Sequence, residues 1–357
     1  MNMKLLDIYS DYLIAQNQHA TATGLSDLLK GQLTHDKVTR FLNSSAPSSK
    51  DLWLYVKPEI RKIEQNSRGV LIFDDTIEEK PYTDENEIVS WHFSHAKGRC
   101  VKGVNILSCL ARYNEIALPI AFEPIHKDIA FCDIASKKEK RQASISKNEM
   151  FRSMISQAIV NEVKFDYVLA DNWFGAKKNL SFIHYEMKKK FIIGLKTNRV
   201  VALSEEKVKK GQYQKLESIP FKDNEKKIVH LKDLSFPVAL IKKIFKNEDG
   251  STGTLYLITN DLDIDADRIY EVYQKRWRIE EYHKSIKQNA SLEKSPTKVV
   301  RSQKTHIFAS IIAYCKLELL KVKTSLNHFA LKYKLLVRSN QIAYEELQKL
   351  RSSSTAA

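Results

Sequence analysis

Four side chains in the last third of the chain follow the spacing Tyr273-x2-Arg276-x3-Glu280-x6-Lys287. Far upstream, the apolar run Gly69-Val-Leu-Ile-Phe ends in Asp74 and Asp75, and Tyr167-Val-Leu-Ala ends in Asp171. Acids that end a buried strand pack poorly, so they mark a candidate site. Taken singly, each has a plainer explanation: Asp74 and Asp75 as caps or loop acids, Glu280 as a solvated helix charge. Taken together, Asp75, Asp171 and Glu280 would make a hard-oxygen cage suited to Mg²⁺ or Mn²⁺. Two such ions about 4 Å apart can clamp the attacking and leaving oxygens of a phosphodiester displacement. Arg276 and Lys287 would hold the phosphates of the strand being cut, and Tyr273 could bond a phosphate or stack.

The elements that must position these groups can be read from pattern. Residues 269–287 contain no Pro or Gly and follow Asp265, a helix-capping residue. On one helix, Tyr273, Glu280 and Lys287 repeat every seven residues and project to nearly the same side, with Arg276 one turn before Glu280. The runs that end at Asp74 and at Asp171 read as strands buried on both faces, and Phe191 to Leu195 as a third. Val101 to Tyr113 and Ile116 to Phe122, joined by Asn114-Glu115, read as an antiparallel hairpin. Ser146 and Glu149 form a capping box for a helix, preceded by a basic loop over 136–147. Residues 197–252 alternate Lys-rich segments with short β-like runs and read as a β-rich insertion; Thr254 to Thr259 rejoins the sheet. The fold class is therefore α/β: a mixed sheet with carboxylates at strand ends, where such sheets bind ligands.

Helices flank this core. In the N-terminal part, Ser26 can cap a short helix that Gly31 ends, and Thr34 can cap a second one through Leu42. The pair resembles a helix-turn-helix that would display Lys37 and Arg40, although a plain helical bundle gives the same pattern. At the other end, 302–322 and 326–350 read as long helices, followed by a Ser-Ser-Ser-Thr-Ala-Ala tail. Charge supports a polyanionic partner: 58 Lys+Arg stand against 43 Asp+Glu, a net charge of +15. No apolar run reaches membrane-spanning length, since Lys316 and Glu318 interrupt the best candidate. The four cysteines form no CxxC pair and suit reduced thiols in a cytosolic protein. His92, His95, Cys100 and Cys109 fit no common zinc spacing.

These motifs also carry a family resemblance. The Tyr-Arg-Glu-Lys spacing matches the YREK signature of DDE transposases of the insertion-sequence-four group. Asp74-Asp-Thr76 resembles that group's first acidic motif, Asp171-Asn-Trp-Phe174 its second, and His92-Phe-Ser-His-Ala-Lys-Gly98 with Gly103 the segment before its second strand. The likeness covers about residues 68 to 320. It implies a ribonuclease-H-like core with the long insertion between Asp171 and Glu280. It implies Asp75, with Asp74 as second choice, Asp171 and Glu280 as ligands of two Mg²⁺ or Mn²⁺ ions. Tyr273, Arg276 and Lys287 are implied as DNA contacts. The expected organisation is a helical DNA-binding domain over 1–65, a core over 66–196 and 253–325 split by the insertion 197–252, and a C-terminal helix and tail over 326–357. The implied activity is cut-and-paste transposition in a bacterial cytoplasm, on the nucleoid. Its partners would be transposon end repeats, target DNA and a second copy in the synaptic complex. A ribonuclease-H-like nuclease without joining, or a DNA-binding regulator derived from a transposase, are the rival readings.

Overall fold

The apolar run before the first acids forms a strand, but the strand does not stop at them. β1 (Gly69–Glu79) carries Asp74 and Asp75 in its interior. The chain is seen here as a computed structural model that describes residues 2–135, 137–246 and 249–353; the end of the C-terminal tail and Ser136 lie outside these. The fold is a mixed α/β one that divides into two compact units, each discontinuous in sequence.

The larger unit comprises Trp53–Ile77 and Asn105–Glu280. Besides most of β1, its sheet holds β3 (Arg99–Tyr113, here its second half), β4 (Ile116–Pro124), β7 (Phe165–Ala170), β8 (Lys190–Leu195), β9 (Val200–Ala202), β10 (Gln214–Lys215), β11 (Lys226–Leu231), β12 (Val238–Lys246) and β13 (Thr252–Thr259). The order is β10-β9-β11-β12-β13-β8-β7-β1-β3, with β4 paired to β3. β1, β7 and β8 are mutually parallel, whereas β13 runs antiparallel to β8 and begins the insertion's antiparallel ladder. Leu71, Ile72, Phe73, Val168, Leu169, Ile192 and Ile193 are completely buried. Burial on both faces is why these strands read as unbroken apolar runs without alternation.

Helices cover this sheet. α5 (Lys147–Val160) begins with the capping box of Ser146 and Glu149 that the sequence predicts. Its Phe151 ring sits 4.6 Å from Phe73 and stacks at 4.8 Å on Phe174. α6 (Lys177–Ser181) follows β7 after a turn, and α7 (Glu205–Lys209) is a single turn within the insertion. The basic stretch expected as a loop is in part a hairpin, β5 (Ile129–Asp133) with β6 (Lys138–Gln142). The buried Glu64 carboxylate accepts from Tyr113 at 3.2 Å and from the Lys164 amide at 3.0 Å.

The other unit comprises Met1–Leu52, Glu78–Val104 and Glu281–Ala357. It contains α1 (Met3–Ala15), α2 (Ala22–Leu28), α3 (His35–Ser44) and the start of α4 (Ser49–Ile63). β2 (Ser90–Ser94) pairs with the first half of β3. Gly103 is needed there because a Cβ would lie 2.2 Å from the Glu78 carbonyl oxygen. Thr21, not Ser26, caps α2, while Thr34 caps α3 as expected. The 25-residue α10 (Val300–Thr324) is buried on nearly all sides, and Tyr9 on α1 bonds His306 on it at 3.0 Å. α11 (His328–Ser353) closes the chain. Among the described residues no helix is long and apolar enough to cross a membrane.

Candidate active site

The β1–β7 ladder sets the site. It ends with Phe73 opposite Ala170. Asp74 and Asp171 are therefore the next residues on two adjacent parallel strands, which run about 4.8 Å apart. Side chains alternate along a strand, so Asp74 and Asp75 point to opposite faces. The face of Asp74 is the one that meets the helix carrying Glu280: a carboxylate oxygen of Asp74 lies within 4.8 Å of one of Glu280. Asp75 instead forms an ion pair with Lys147, the first residue of α5, at 2.7 Å. The structure brings together Asp74, Asp171 and Glu280, while Asp75, the expected first ligand, pairs with Lys147 and still raises the Asp171 carboxyl through its charge.

Asp171 is oriented by its own turn. The Trp173 amide donates to its Oδ1 at 3.0 Å. That turn folds tightly against β8 because Gly194 lacks a side chain; a Cβ there would lie 2.9 Å from the Asn172 nitrogen. The Lys147 ammonium also sits 4.6 Å from the centre of the Trp173 ring. Lys147, not singled out in the sequence, thus touches both Asp75 and the Trp173 ring next to Asp171. Trp173 lies within the Asp171 motif, whereas no local motif marks Lys147.

The stretch expected as one helix is broken. α8 (Ala266–Gln274) and α9 (Arg278–Gln288) are joined by a 3₁₀ turn at Lys275–Trp277. Asp265 occupies the cap position of α8 but makes no side-chain capping bond. Arg112 donates to the Lys275 carbonyl at 3.1 Å and ties down the turn. Arg276, on that turn, reaches Asp74 at 3.4 Å and Glu280 at 3.3 Å. Its guanidinium lies 5.8 Å from the centre of the Tyr273 ring, which is buried rather than displayed. A cleft of about 630 Å³ opens beside Arg276, with Phe245, Tyr270, Tyr273 and Trp277 among its walls. The other predicted contacts belong to the smaller unit. Lys287 is half-buried and pairs with Glu293 at 3.2 Å. Lys37 and Arg40 are exposed on α3, whose Val38, Phe41 and Leu42 face inward.

Electrostatics fit a cation. Burial, then the neighbouring Asp171 and Glu280, push the Asp74 carboxyl up to about 7, with Arg276 opposing. Asp171 is also raised, chiefly by burial, against the Trp173 amide and Arg276. Burial lifts the Tyr273 phenol to about 12. Three carboxylates share one guanidinium, so negative charge is in excess, and acid oxygens are the donors that Mg²⁺ and Mn²⁺ prefer. The site residues therefore fit a divalent ion.

Comparison with known families agrees. The family model described as DDE superfamily endonuclease matches residues 2–226. The chain belongs to this family. No curated protein matches it. The DDE family accounts for a ribonuclease-H-like core around β1, β7 and β8, a transposase or nuclease activity, DNA as substrate, and divalent metal as helper. The match spans Asp74 and Asp171 and ends before Glu280, which the structure places beside Asp74.

Proposed function

We propose that this chain is a DNA transposase of the insertion-sequence-four group, with Tyr273, Arg276, Glu280 and Lys287 as its YREK residues. The observation that carries the reading is the gathering of Asp74, Asp171 and Glu280 around Arg276 in a DDE-family chain. These three acids would hold one or two Mg²⁺ or Mn²⁺ ions, which when bound supply Lewis acidity and lower the pKa of water. In the first step, water attacks the phosphorus at a transposon end and loses its proton to solvent. The P–O3′ bond breaks, leaving a 3′-hydroxyl and a 5′-phosphate. That hydroxyl then attacks phosphorus on the opposite strand and closes a hairpin; a second water opens the hairpin at the same bond and frees the 3′-hydroxyl, which attacks phosphorus in target DNA. Each attack by the hydroxyl exchanges one phosphodiester for another.

Arg276 binds the scissile phosphate in this scheme, exchanging its carboxylate partners for phosphate oxygens. The aromatic cleft beside it offers flat apolar walls on which an unstacked base can lie. Exposed Lys37 and Arg40 support end binding by the N-terminal helices, in the manner of a 1–65 recognition domain. Two ends processed together require two copies, working on the bacterial nucleoid. The test is a duplex ending in the inverted repeats that flank the gene, incubated with Mg²⁺. Nicked ends with free 3′-hydroxyls and joined products are expected. Cleavage with no joined product would select the nuclease, and binding with neither would select the regulator.

Lys287 gives a separate expectation. Lys287→Ala should weaken DNA binding across sequences and lower the slope of log affinity against log salt by about 1. A slope equal to that of the wild type would remove Lys287 from the backbone contacts.

A further inference from the structure

The hairpin β5–β6 stands apart from the main sheet. Its two strands pair only with each other, and every described residue from Ile129 to Gln142 is exposed or half-buried. A lone two-stranded hairpin is at best marginally stable in water, so it calls for a partner. Its foot is tied down. Asp128 accepts from the Ser144 amide at 2.9 Å and from the Ser144 hydroxyl at 2.7 Å. Three residues further on, Lys147 holds Asp75, the neighbour of Asp74, at 2.7 Å. The ribbon therefore rises from beside the strand that carries the acids, and its tip reaches roughly 20 Å from its foot.

We propose that the β5–β6 ribbon is an arm that lies in a groove of duplex DNA beside the cleavage site and kinks the duplex by wedging Ile134 between two base steps. Its charge suits a polyanion: residues 127–147 carry six Lys+Arg against three Asp+Glu. Lys140 pairs with Asp133, whereas Lys137, Lys138 and Arg141 pair with no acid among the described residues. A two-stranded ribbon fits a DNA groove, and lysines along it can reach the phosphates that line the groove. Strand register sets Ile129 and Phe131 on one face with Lys138 and Lys140, so apolar and cationic contacts point the same way. Ile134, at the turn, is 90% exposed. An apolar side chain presented on such a tip can enter a base step, unstack it and bend the duplex by about 20 to 90°. With the foot beside Asp74 and the tip roughly 20 Å away, the kink falls within about one helical turn of the bond to be cut. A second copy is a poor occupant, because Lys138, Lys140 and Arg141 would line both edges of any shared sheet. An anionic lipid surface would match the charge, but the foot stands beside the acids of a DDE chain, whose substrate is DNA. The arm rests on DNA as the substrate and not on the chemistry done to it.

Energy transfer between dyes on the two ends of a ~20-base-pair duplex, bound by the full chain in a metal chelator, tests the arm. Binding should raise the transfer, as a bend of at least about 20° brings the ends together. Ile134→Ser should remove at least about half of that rise and weaken binding no more than about threefold, since the exposed side chain leaves the fold intact. Lys137→Ala with Lys138→Ala should lower the slope of log affinity against log salt by about 2. A wild type that binds without bending would overturn the proposal, as would an Ile134→Ser chain that bends like the wild type or a double variant with an unchanged slope. Tighter binding to phosphatidylserine vesicles than to the duplex, lost in Ile134→Ser, would also overturn it and assign the ribbon to lipid. No cleavage occurs in the chelator, so a failed wedge leaves the proposed chemistry untouched, and failure of end cleavage leaves the wedge untouched.

Discussion

Asp74→Asn is expected to cut Mg²⁺-dependent strand cleavage by on the order of 10³-fold, or about 4 kcal/mol of transition-state stabilisation. The change keeps size and shape and removes one anionic oxygen donor. It also removes a charge that the fold already resists, since Asp74 is held up to about 7 by burial and by Asp171 and Glu280. The variant should therefore fold at least as well as the wild type, so lost activity cannot be lost structure. Asp75→Asn is the matched control. It breaks the Lys147 pair on the other face of β1 and should cost about tenfold or less. Metal binding gives a second readout. An ion competes with the proton on Asp74, so Mn²⁺ affinity of the wild type should fall by up to about tenfold for each pH unit below 7. In Asp74→Asn this dependence should be weaker and the affinity lower at pH 8. If instead Asp75→Asn abolished cleavage and Asp74→Asn spared it, the register argument would be wrong.

Much of the architecture is legible in the residues because burial on both faces leaves short apolar runs, too short for buried helices. β1, β7 and β8 are predicted for that reason, and Ser146 with Glu149 marks the start of α5 through local chemistry alone. The same uniform apolarity hides which way each strand faces. With no alternation through Val70 to Phe73, nothing in the sequence tells Asp74 from Asp75; pairing of β1 with β7 supplies that information, and it is non-local. The break between α8 and α9 is hidden differently. Lys275, Arg276 and Trp277 are ordinary helix formers, and the 3₁₀ turn they adopt is held by Arg112 from a distant strand. Spacing of the YREK type survives this break because it is a property of sequence. The single face it suggests does not, and Tyr273 turns inward. Lys147 meets Asp75 and Trp173 only through tertiary packing of α5.

Arg276→Ala should destabilise the metal-free chain by about 3 kcal/mol at pH 8. The guanidinium is mostly buried and bridges Asp74 and Glu280, so its removal leaves three carboxylates with no cation among them. The loss should depend on pH. Asp74 takes up its proton near 7 in the folded chain against 3.8 ordinarily. The folded state thus binds more protons between these values, and stability falls as pH rises through that window. Arg276 opposes the upward shift, so without it the fall should be larger and extend to higher pH. Urea unfolding at pH 5 and pH 8 would show a small deficit at the lower value and the full deficit at the higher one. Mn²⁺ should then restore more stability to Arg276→Ala than to the wild type if the ion takes over the missing positive charge. Adding Asp74→Asn to Arg276→Ala should recover much of the loss, because the worst repulsion is removed with it. Equal deficits at both pH values, with no recovery in the double variant, would mean that Arg276 acts by packing on Tyr273 rather than by holding the acids together.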